Sequence, residues 1–380
     1  MSHPAMPISL FIVFPLYEVA FGNFKKRWPY FVPFLILSVV YILLNLVALP
    51  ERTTTLQSVH YQEQGIDNPF ILIPVAISSY FELIFWPKTL TLYHSELAFG
   101  PLNFAMRSTV TILFFILILI SFLKNERSSS SNRQIFFWLS FFLIALAPTL
   151  TPFRLNWIVA ERYLYVPILG VLVVVGLVIT KLMDKLKKFE WVGYGLVVLI
   201  VVLLAARTIA RNIDWKNEDN LWIATGKTSP SSPNTHNNLG DVYGRRGDKE
   251  RSLQEFQTAI MLKPDYADAY HNAGNVYREL GQYDKALEYY QKAANLSPIL
   301  WQSYQNIAAL YFQSQQYDLA LENIQKAIQI NPKNVNLHLN LGIVYLAMGD
   351  KEKAKQVFSL VLNSDPQNQV ARQGLIEANK

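Results

Sequence analysis

The sequence from Pro264 to Pro298, PDYADAYHNAGNVYRELGQYDKALEYYQKAANLSP, decides the fold of the C-terminal part of the chain, because its pattern recurs at a fixed distance. A proline stands at the same place in four successive copies, 34 residues apart: Pro264, Pro298, Pro332 and Pro366. A tyrosine column has the same spacing: Tyr243, Tyr277, Tyr311 and Tyr345. A sustained period of this length predicts an array of repeated supersecondary units rather than one globular core.

Thirty-four residues is the period of the tetratricopeptide repeat, in which each unit is a pair of antiparallel helices. Three columns fit such a pair: a small residue where the helices approach, a large one that fills the gap, and a small or branched one on the second helix. They are Gly240, Gly274, Ala308 and Gly342; Phe256, Tyr290, Ile324 and Phe358; and Ala259, Ala293, Ala327 and Val361. The sequence predicts an α-solenoid with repeats at 233–266, 267–300, 301–334 and 335–368, and a capping helix at 369–380.

One asparagine per repeat stands on the first helix: Asn238, Asn272, Asn306 and Asn340. A carboxamide both donates and accepts hydrogen bonds, so this column on a concave face predicts binding of an extended peptide, with Asn275 and Arg278 adding polar surface. The alternative is that the asparagines bond within or between repeats. Peptide binding is favoured because an apolar residue would pack with less desolvation cost. Three residues make the fourth repeat more apolar, which predicts docking of another protein or of the cap there: Leu339, Ile343 and Leu346.

Composition divides the chain near residue 227. Residues 1–227 carry 19 Lys and Arg against 13 Asp and Glu, whereas residues 228–380 carry 15 of each, so the formal charge of +6 lies in the first part. The neutral second part lacks the positive charge that neutralises phosphates, which excludes nucleic acid as a partner. The absence of cysteine excludes disulfides, thiolate nucleophiles and cysteine-ligated zinc. No metal site or cofactor motif is evident.

Residues 1–210 are predicted to be a bundle of transmembrane helices, and 211–232 a linker. Six apolar stretches approach the length that crosses a bilayer: Ala5–Phe21, Pro29–Leu49, Met106–Leu123, Ile135–Leu150, Tyr163–Thr180 and Val192–Ala210. A seventh apolar run, near 70–90, contains Glu82 between Pro74 and Pro87. A carboxylate at mid-bilayer is costly, so this run is predicted to be an interfacial or re-entrant helix.

The basic segments set the predicted topology. With six spans, the segments that carry Lys25, Lys124 and Lys181 fall on one side, which the positive-inside rule makes cytoplasmic. The protein is therefore predicted to be a multi-pass protein of the cell membrane, in contact with membrane lipids, with its repeat arm extracytoplasmic. This parity places Met1 outside, and residues 1–21 lack the basic start of a signal peptide, so further spans are expected to precede residue 1.

The segment Pro152–Pro167, PFRLNWIVAERYLYVP, concentrates arginines and aromatic residues at the predicted outer end of the fifth span. Arginine suits bidentate phosphate binding, so a lipid-linked phosphate at the membrane surface is one expected ligand. The alternative is an ordinary belt of interfacial aromatic residues with a snorkelling arginine. On chemistry alone the two are even. The candidate residues are Arg154, Glu161, Arg162, Tyr163 and Tyr165.

Three strings resemble the family of transmembrane and TPR repeat-containing glycosyltransferases, which includes protein O-mannosyltransferases. They are LIFWPKTLTLYH at Leu83–His94, VAERYLYVP at Val159–Pro167, and RNIDWKNEDNLWIATGKTSPSSPNTHNNLGDVY at Arg211–Tyr243. The resemblance implies a C-type glycosyltransferase bundle, a polyprenyl-phosphate sugar donor, and repeats that present an acceptor protein. It also implies catalytic acidic residues in a first outer loop upstream of the segment that 1–21 resembles, so this chain is expected to lack them.

Two functions from different classes remain open. The first is the membrane and acceptor-binding portion of a protein glycosyltransferase. The second is a membrane-anchored scaffold that recruits envelope proteins through its repeats and performs no chemistry.

Overall fold

The computed structural model describes residues 6–40, 43, 69–87, 100–124, 130–150, 159–185 and 190–380, and every regular element within these ranges is helical. The predicted all-α class is confirmed. The chain divides into two compact units, Met1–Ser229 and Pro230–Lys380.

The first unit is built from apolar helices. We number its main helices α1 Met6–Phe21, α2 at residues 32–40, α3 Pro69–Phe85, α4 Pro101–Leu123, α5 Ser130–Leu146, α6 Ile168–Lys185, α7 Glu190–Asp214 and α8 Glu218–Thr228. Of the helices described, two are long and apolar enough to cross a membrane, Pro101–Leu123 and Trp191–Asp214. The second half of the predicted second span and the segment Glu51–Asn68 lie almost wholly outside the described residues. The count of six spans stays a prediction.

Helix α3 lies in the core of the first unit. Its residues from Val75 to Tyr80 are all buried, and Ile77 and Tyr80 belong to a cluster that includes Phe114 of α4 and Phe142 of α5. A helix that lies on a bilayer surface keeps one face in water. The burial of six consecutive residues argues against the interfacial alternative for α3, and the re-entrant alternative stays a prediction.

Glu82 of α3, the carboxylate that argued against a membrane crossing, has a cationic partner on α4. Arg107 Nη2 lies 3.1 Å from Glu82 Oε2. The same guanidinium donates to Ser79 Oγ at 2.6 Å and to Asn103 Oδ1 at 2.8 Å. Opposite charges in contact lower the cost of holding either one among apolar helices. The sequence did not reveal this pair, because no periodicity links the two helices.

The second unit is a row of helix pairs followed by one more helix. The pairs are α9 Pro233–Arg245 with α10 Lys249–Leu262, α11 Ala267–Glu279 with α12 Tyr283–Leu296, α13 Trp301–Gln313 with α14 Tyr317–Ile330, and α15 Val335–Ala347 with α16 Lys351–Ser364. The final helix is α17 Gln369–Asn379. Side-chain N-caps fix several starts: Ser232 Oγ accepts from Thr235 N–H, and Asp248 Oδ1 accepts from Arg251 N–H.

The turn inside each pair needs a residue with a positive φ. Glycine occupies it in three repeats, with φ of 84° at Gly247, 71° at Gly281 and 79° at Gly349, whereas Gln315 takes it in the third repeat with φ of 61°. The next N–H closes the turn in each repeat, as when Gln316 N–H donates to Tyr311 C=O at 2.8 Å. This is the Schellman pattern, in which a left-handed residue ends a helix. The two helices of each repeat are therefore joined in the same way.

Candidate functional site

The asparagine column lies on the first helices of the four repeats. Asn238, Asn272, Asn306 and Asn340 are each half-buried, on α9, α11, α13 and α15 respectively. Their carboxamides therefore border both the packed interior and the open face of the array. The hydrogen bonds of each carboxamide show whether it bonds another residue of the array or remains available on the open face.

Two members of the column bind the preceding repeat. Asn272 Nδ2 donates to Asn237 Oδ1 at 3.1 Å, and Asn306 Nδ2 donates to Asn275 Oδ1 at 3.0 Å. Asn275 also accepts from the Tyr290 hydroxyl at 2.7 Å. These bonds form a carboxamide ladder, by which we mean Asn237–Asn272 and Asn275–Asn306. The alternative of packing between repeats therefore applies to these donors, and their role in peptide binding stays a prediction.

The two ends of the column differ from its middle. Asn238 Nδ2 donates to the C=O of Asn234 in its own helix at 2.7 Å. For Asn340 of the fourth repeat, the position equivalent to Asn275, the acceptor of Asn306, is occupied by Ala309 of the third repeat, which has no side-chain acceptor. Within the described part of the chain, the side chain of Asn340 makes no hydrogen bond. Asn340 is thus the member of the column whose carboxamide is unbonded within the described residues, and its role in peptide binding stays a prediction.

The polar surface beside the ladder is held mostly in fixed protonation states. His271 Nδ1 lies 2.9 Å from Ser303 Oγ, and burial lowers the pKa of His271 to about 4, with a further contribution from Arg278. Burial raises the pKa of the Tyr290 hydroxyl to about 12. At neutral pH both groups are therefore uncharged. The positive charge on this face comes from the half-buried Arg278, one of the predicted peptide-binding residues.

The C-terminal end of the array has an open groove of about 600 Å³. Its apolar walls include Phe312 of α13, Ile343 and Leu346 of α15, and Val370 of α17. Two of the three apolar residues that the sequence singled out in the fourth repeat line it, while Leu339 is buried in the core of that repeat. The groove lies on the same array as the carboxamide ladder but differs from it in chemistry.

The candidate phosphate-binding residues of the first unit lie on a 3₁₀ turn, Glu161–Leu164, just before α6. The guanidinium of Arg162 lies 5.0 Å from the centre of the Tyr163 ring, in cation–π geometry. Tyr165 follows with 81% of its surface exposed. Arg154 lies outside the described residues. The structure thus brings Glu161, Arg162, Tyr163 and Tyr165 together at one helix end.

Arg211, near the end of α7, is a residue that sequence reasoning did not assign to this site. Its Nη2 lies 3.7 Å from Glu161 Oε1, and its Nη1 lies 2.8 Å from Asp214 Oδ2. Arg207, one turn earlier, donates to the C=O of Pro87, so the end of α3 reaches the same place. Arg211 begins one of the strings that carry the family resemblance, which was the available signal. No cluster of three or more possible metal ligands occurs in the described ranges.

Family models described as tetratricopeptide repeats match residues 233–266, 267–299 and 311–377. The second unit is a tetratricopeptide-repeat array. The period of 34 residues and its helix pairs are therefore confirmed.

The chain is also similar in sequence to protein O-mannosyl-transferases, which confirms the resemblance drawn from its motifs. Tmtc2 of Drosophila melanogaster is 31% identical over 147 residues, which is 38% of this chain and 16% of that protein. F38B6.6 of Caenorhabditis elegans is 24% identical over 218 residues, which is 53% of this chain and 30% of that protein. The second alignment is longer than the array, so the similarity extends into the first unit. The chain spans less than a third of the length of these relatives.

Solved repeat structures resemble part of the chain. The second TPR domain of human RPAP3, in complex with an HSP70 peptide, is 25% identical with a TM-score of 0.28, and covers 29% of this chain and 92% of that one. MamA is 21% identical with a TM-score of 0.37, and covers 42% of this chain and 92% of that one.

Proposed function

We propose that this chain is a membrane-anchored protein whose tetratricopeptide-repeat array, on the extracytoplasmic side, holds an extended polypeptide. We propose further that it acts as the membrane and acceptor-binding portion of a protein glycosyltransferase that uses a polyprenyl-phosphate sugar. The observation that carries both statements is the similarity to protein O-mannosyl-transferases, which runs from the array into the first unit.

Peptide binding by the array is supported by the different hydrogen bonds that its carboxamides make. The carboxamide ladder fixes neighbouring repeats to each other, while Asn340 keeps a donor and an acceptor for a ligand. An extended polypeptide exposes one N–H and one C=O per residue, so a carboxamide binds it without reading its sequence. Arg278 supplies a charge on the same face.

Membrane anchoring is supported by the apolar helices of the first unit and by its basic segments. In this proposal the first unit crosses the bilayer six times, α3 is re-entrant, and the segments containing Lys25, Lys124 and Lys181 are cytoplasmic. Lipids then cover the exposed apolar faces of helices such as α7, where Val198 is 60% exposed and Leu203 is 60% exposed.

Donor binding is assigned to the turn that contains Arg162. A guanidinium binds phosphate oxygens through parallel hydrogen bonds, and Tyr163 and Tyr165 provide aromatic surface beside it. The ion pair of Glu161 with Arg211 holds the turn against the end of α7. In this proposal Arg154 is a second guanidinium for the same phosphate.

The test measures peptide binding and sugar transfer separately. For binding, the full chain in lipid nanodiscs is titrated with a fluorescent extended peptide, and Asn340→Ala is expected to weaken binding roughly three- to tenfold, through lost hydrogen bonds. Asn323→Ala is the matched control, because Asn323 is also half-buried but lies on a second helix and donates to Leu319 C=O. Equal binding by both variants would remove Asn340 from the ligand site.

For sugar transfer, the Arg162→Ala substitution is introduced into the longest form of this protein that is found in native membranes. We expect loss of sugar transfer with unchanged peptide binding. Full transfer by this variant contradicts the donor site. Peptide binding without transfer by the unaltered protein supports the alternative of a scaffold that performs no chemistry.

A further inference from the structure

We infer that the open groove at the C-terminal end of the array binds a large apolar side chain of the held polypeptide together with a basic residue near it. This inference rests on the proposed binding of a polypeptide by the array. It adds a chemical preference that carboxamides alone cannot supply.

The groove is large enough to take a large side chain together with a neighbouring residue, and its walls are mostly apolar. Its volume of about 600 Å³ lies within the range typical of ligand pockets. Ile343 on its α15 wall is 37% exposed, and Val370 on its α17 wall is 51% exposed. Covering these surfaces with an apolar group removes them from water and favours binding.

The polar rim of the groove selects for positive charge. Glu377 and Gln373, both on α17, line it, and Gln373 Nε2 donates to Glu377 Oε1 at 3.1 Å. No cation pairs with Glu377 in the described part of the chain. The unpaired carboxylate attracts a basic residue of the partner and repels an acidic one.

The position of the groove joins it to the carboxamide ladder. Asn340 and Ile343 are three residues apart on α15 and therefore share one face of that helix. A polypeptide that bonds Asn340 through its backbone can place its next side chains over Ile343 and Val370. A fatty acid or an anionic phospholipid is disfavoured, because its negative headgroup would meet the carboxylate of Glu377 at the rim.

Three matched fluorescent peptides test the inference, with the full chain in nanodiscs. The first is a short polar peptide that contains one Phe with an Arg two residues away. The second replaces the Phe by Ser, and the third replaces the Arg by Glu. We expect the first peptide to bind roughly tenfold or more tightly than either of the others.

Two variants of α17 provide the matched pair. Val370→Asp is expected to remove the preference for Phe, whereas Ile376→Asp is expected to leave it, because Ile376 is 53% exposed on the same helix but does not line the groove. Glu377→Lys is expected to reverse the charge preference, so that the peptide with Glu binds best. Val370 and Ile376 are both exposed, so replacing either one by Asp does not disturb the core.

The outcomes separate this inference from the proposed function. If all three peptides bind equally, or if Val370→Asp and Ile376→Asp behave alike, the groove is not the anchor, although Asn340→Ala can still weaken binding and uphold the proposed function. If no peptide binds the unaltered chain, both statements fall. A fluorescent fatty acid that binds and is lost in Val370→Asp, without any Phe preference among the peptides, would assign the groove to lipid instead.

Discussion

At the scale of single residues, two histidines of the array respond to pH in opposite directions. His271 is kept neutral by burial, which lowers its pKa to about 4, with Arg278 as a smaller cause. His236 Nδ1 lies 2.6 Å from Glu255 Oε2, and this hydrogen bond raises the pKa of His236. Proton binding therefore opposes the fold at one histidine and supports it at the other.

Acid is expected to loosen the second repeat through His271. Between the unfolded pKa of about 6.5 and the folded value of about 4, the unfolded chain binds a proton that the folded chain does not. The free energy of unfolding therefore falls as the pH is lowered through this window, by about 1–3 kcal/mol. Amide hydrogen exchange of α11, corrected for intrinsic rates, measures the loss, and His271→Asn should abolish it.

The opposite histidine provides the control for this prediction. The stability from His236 is fully present below its unfolded pKa and is lost as the pH rises through its raised folded pKa. His236→Gln should therefore lower stability below about pH 6.5 without changing the slope of the acid loss between about pH 6.5 and 4. A His271→Asn protein that loses protection in acid as fast as the unaltered one contradicts the assignment.

The sequence predicted the asparagine column but not the hydrogen-bond partners of its members. The asparagine column was visible because it repeats, yet its partners were not, since Asn272 bonds to Asn237 whereas Asn306 bonds to Asn275. The acceptors thus occupy different positions in their repeats. Small differences in how helices approach decide which acceptor is reached, and no periodic pattern encodes them.

At the scale of helix pairs, the column of small residues on the first helices packs against the column of large residues on the second helices. A Cβ on Gly240 would lie 2.6 Å from the Phe256 ring, and one on Gly274 would lie 2.8 Å from the Tyr290 ring. In the third repeat Ala308 has a Cβ, and the facing residue is Ile324 instead of an aromatic ring. The volume across the pair of helices is therefore divided differently but conserved in total.

A double substitution in the first repeat tests this matching. Gly240→Ala alone should lower the free energy of unfolding by about 1–3 kcal/mol through overpacking, despite the better helix propensity of alanine. Adding Phe256→Ile recreates the pair of the third repeat and should recover part of the loss. Exchange protection of α9 and α10 measures each step, and strictly additive effects would contradict direct packing between the two side chains.

The sequence predicted which helices pair in the array, but it did not predict which helices pack together in the first unit. The period and the columns of small and large residues predicted the helix pairs of the array. In the first unit, length and hydropathy identify helices but not their neighbours. The burial of α3 against α4 and α5, and the contact of Glu82 with Arg107, depend on side-chain fit that apolar composition does not specify.

At the scale of the whole molecule, the asymmetric charge of the chain predicts its orientation. The chain contains no cysteine, so single-cysteine variants report accessibility without a background. Ser364→Cys in the array should react with a membrane-impermeant maleimide in intact cells, whereas Ser128→Cys in the second basic segment should react only after permeabilisation. The two serines are a matched pair, and the reverse pattern contradicts the extracytoplasmic array.

A third position decides whether α3 crosses. Trp28 follows the first basic segment and is 54% exposed. If α3 does not cross, Trp28→Cys should behave like Ser128→Cys. If it reacts in intact cells, α3 is an additional span and the first basic segment lies outside.

The pairing of Glu82 with Arg107 has a consequence for how the chain is made. Helix α3 leaves the ribosome before α4, so its carboxylate emerges without its guanidinium. Glu82 lies three residues before the end of α3, where a lone charge costs less than the about 2.5–3.5 kcal/mol that it would cost at the centre of an inserting helix. Any route into a bilayer therefore favours waiting until α4 has been synthesised, so that both helices enter as one neutral hairpin. In the proposed membrane arrangement, the order of synthesis, rather than the hydropathy of either helix alone, sets the moment at which these two helices assemble.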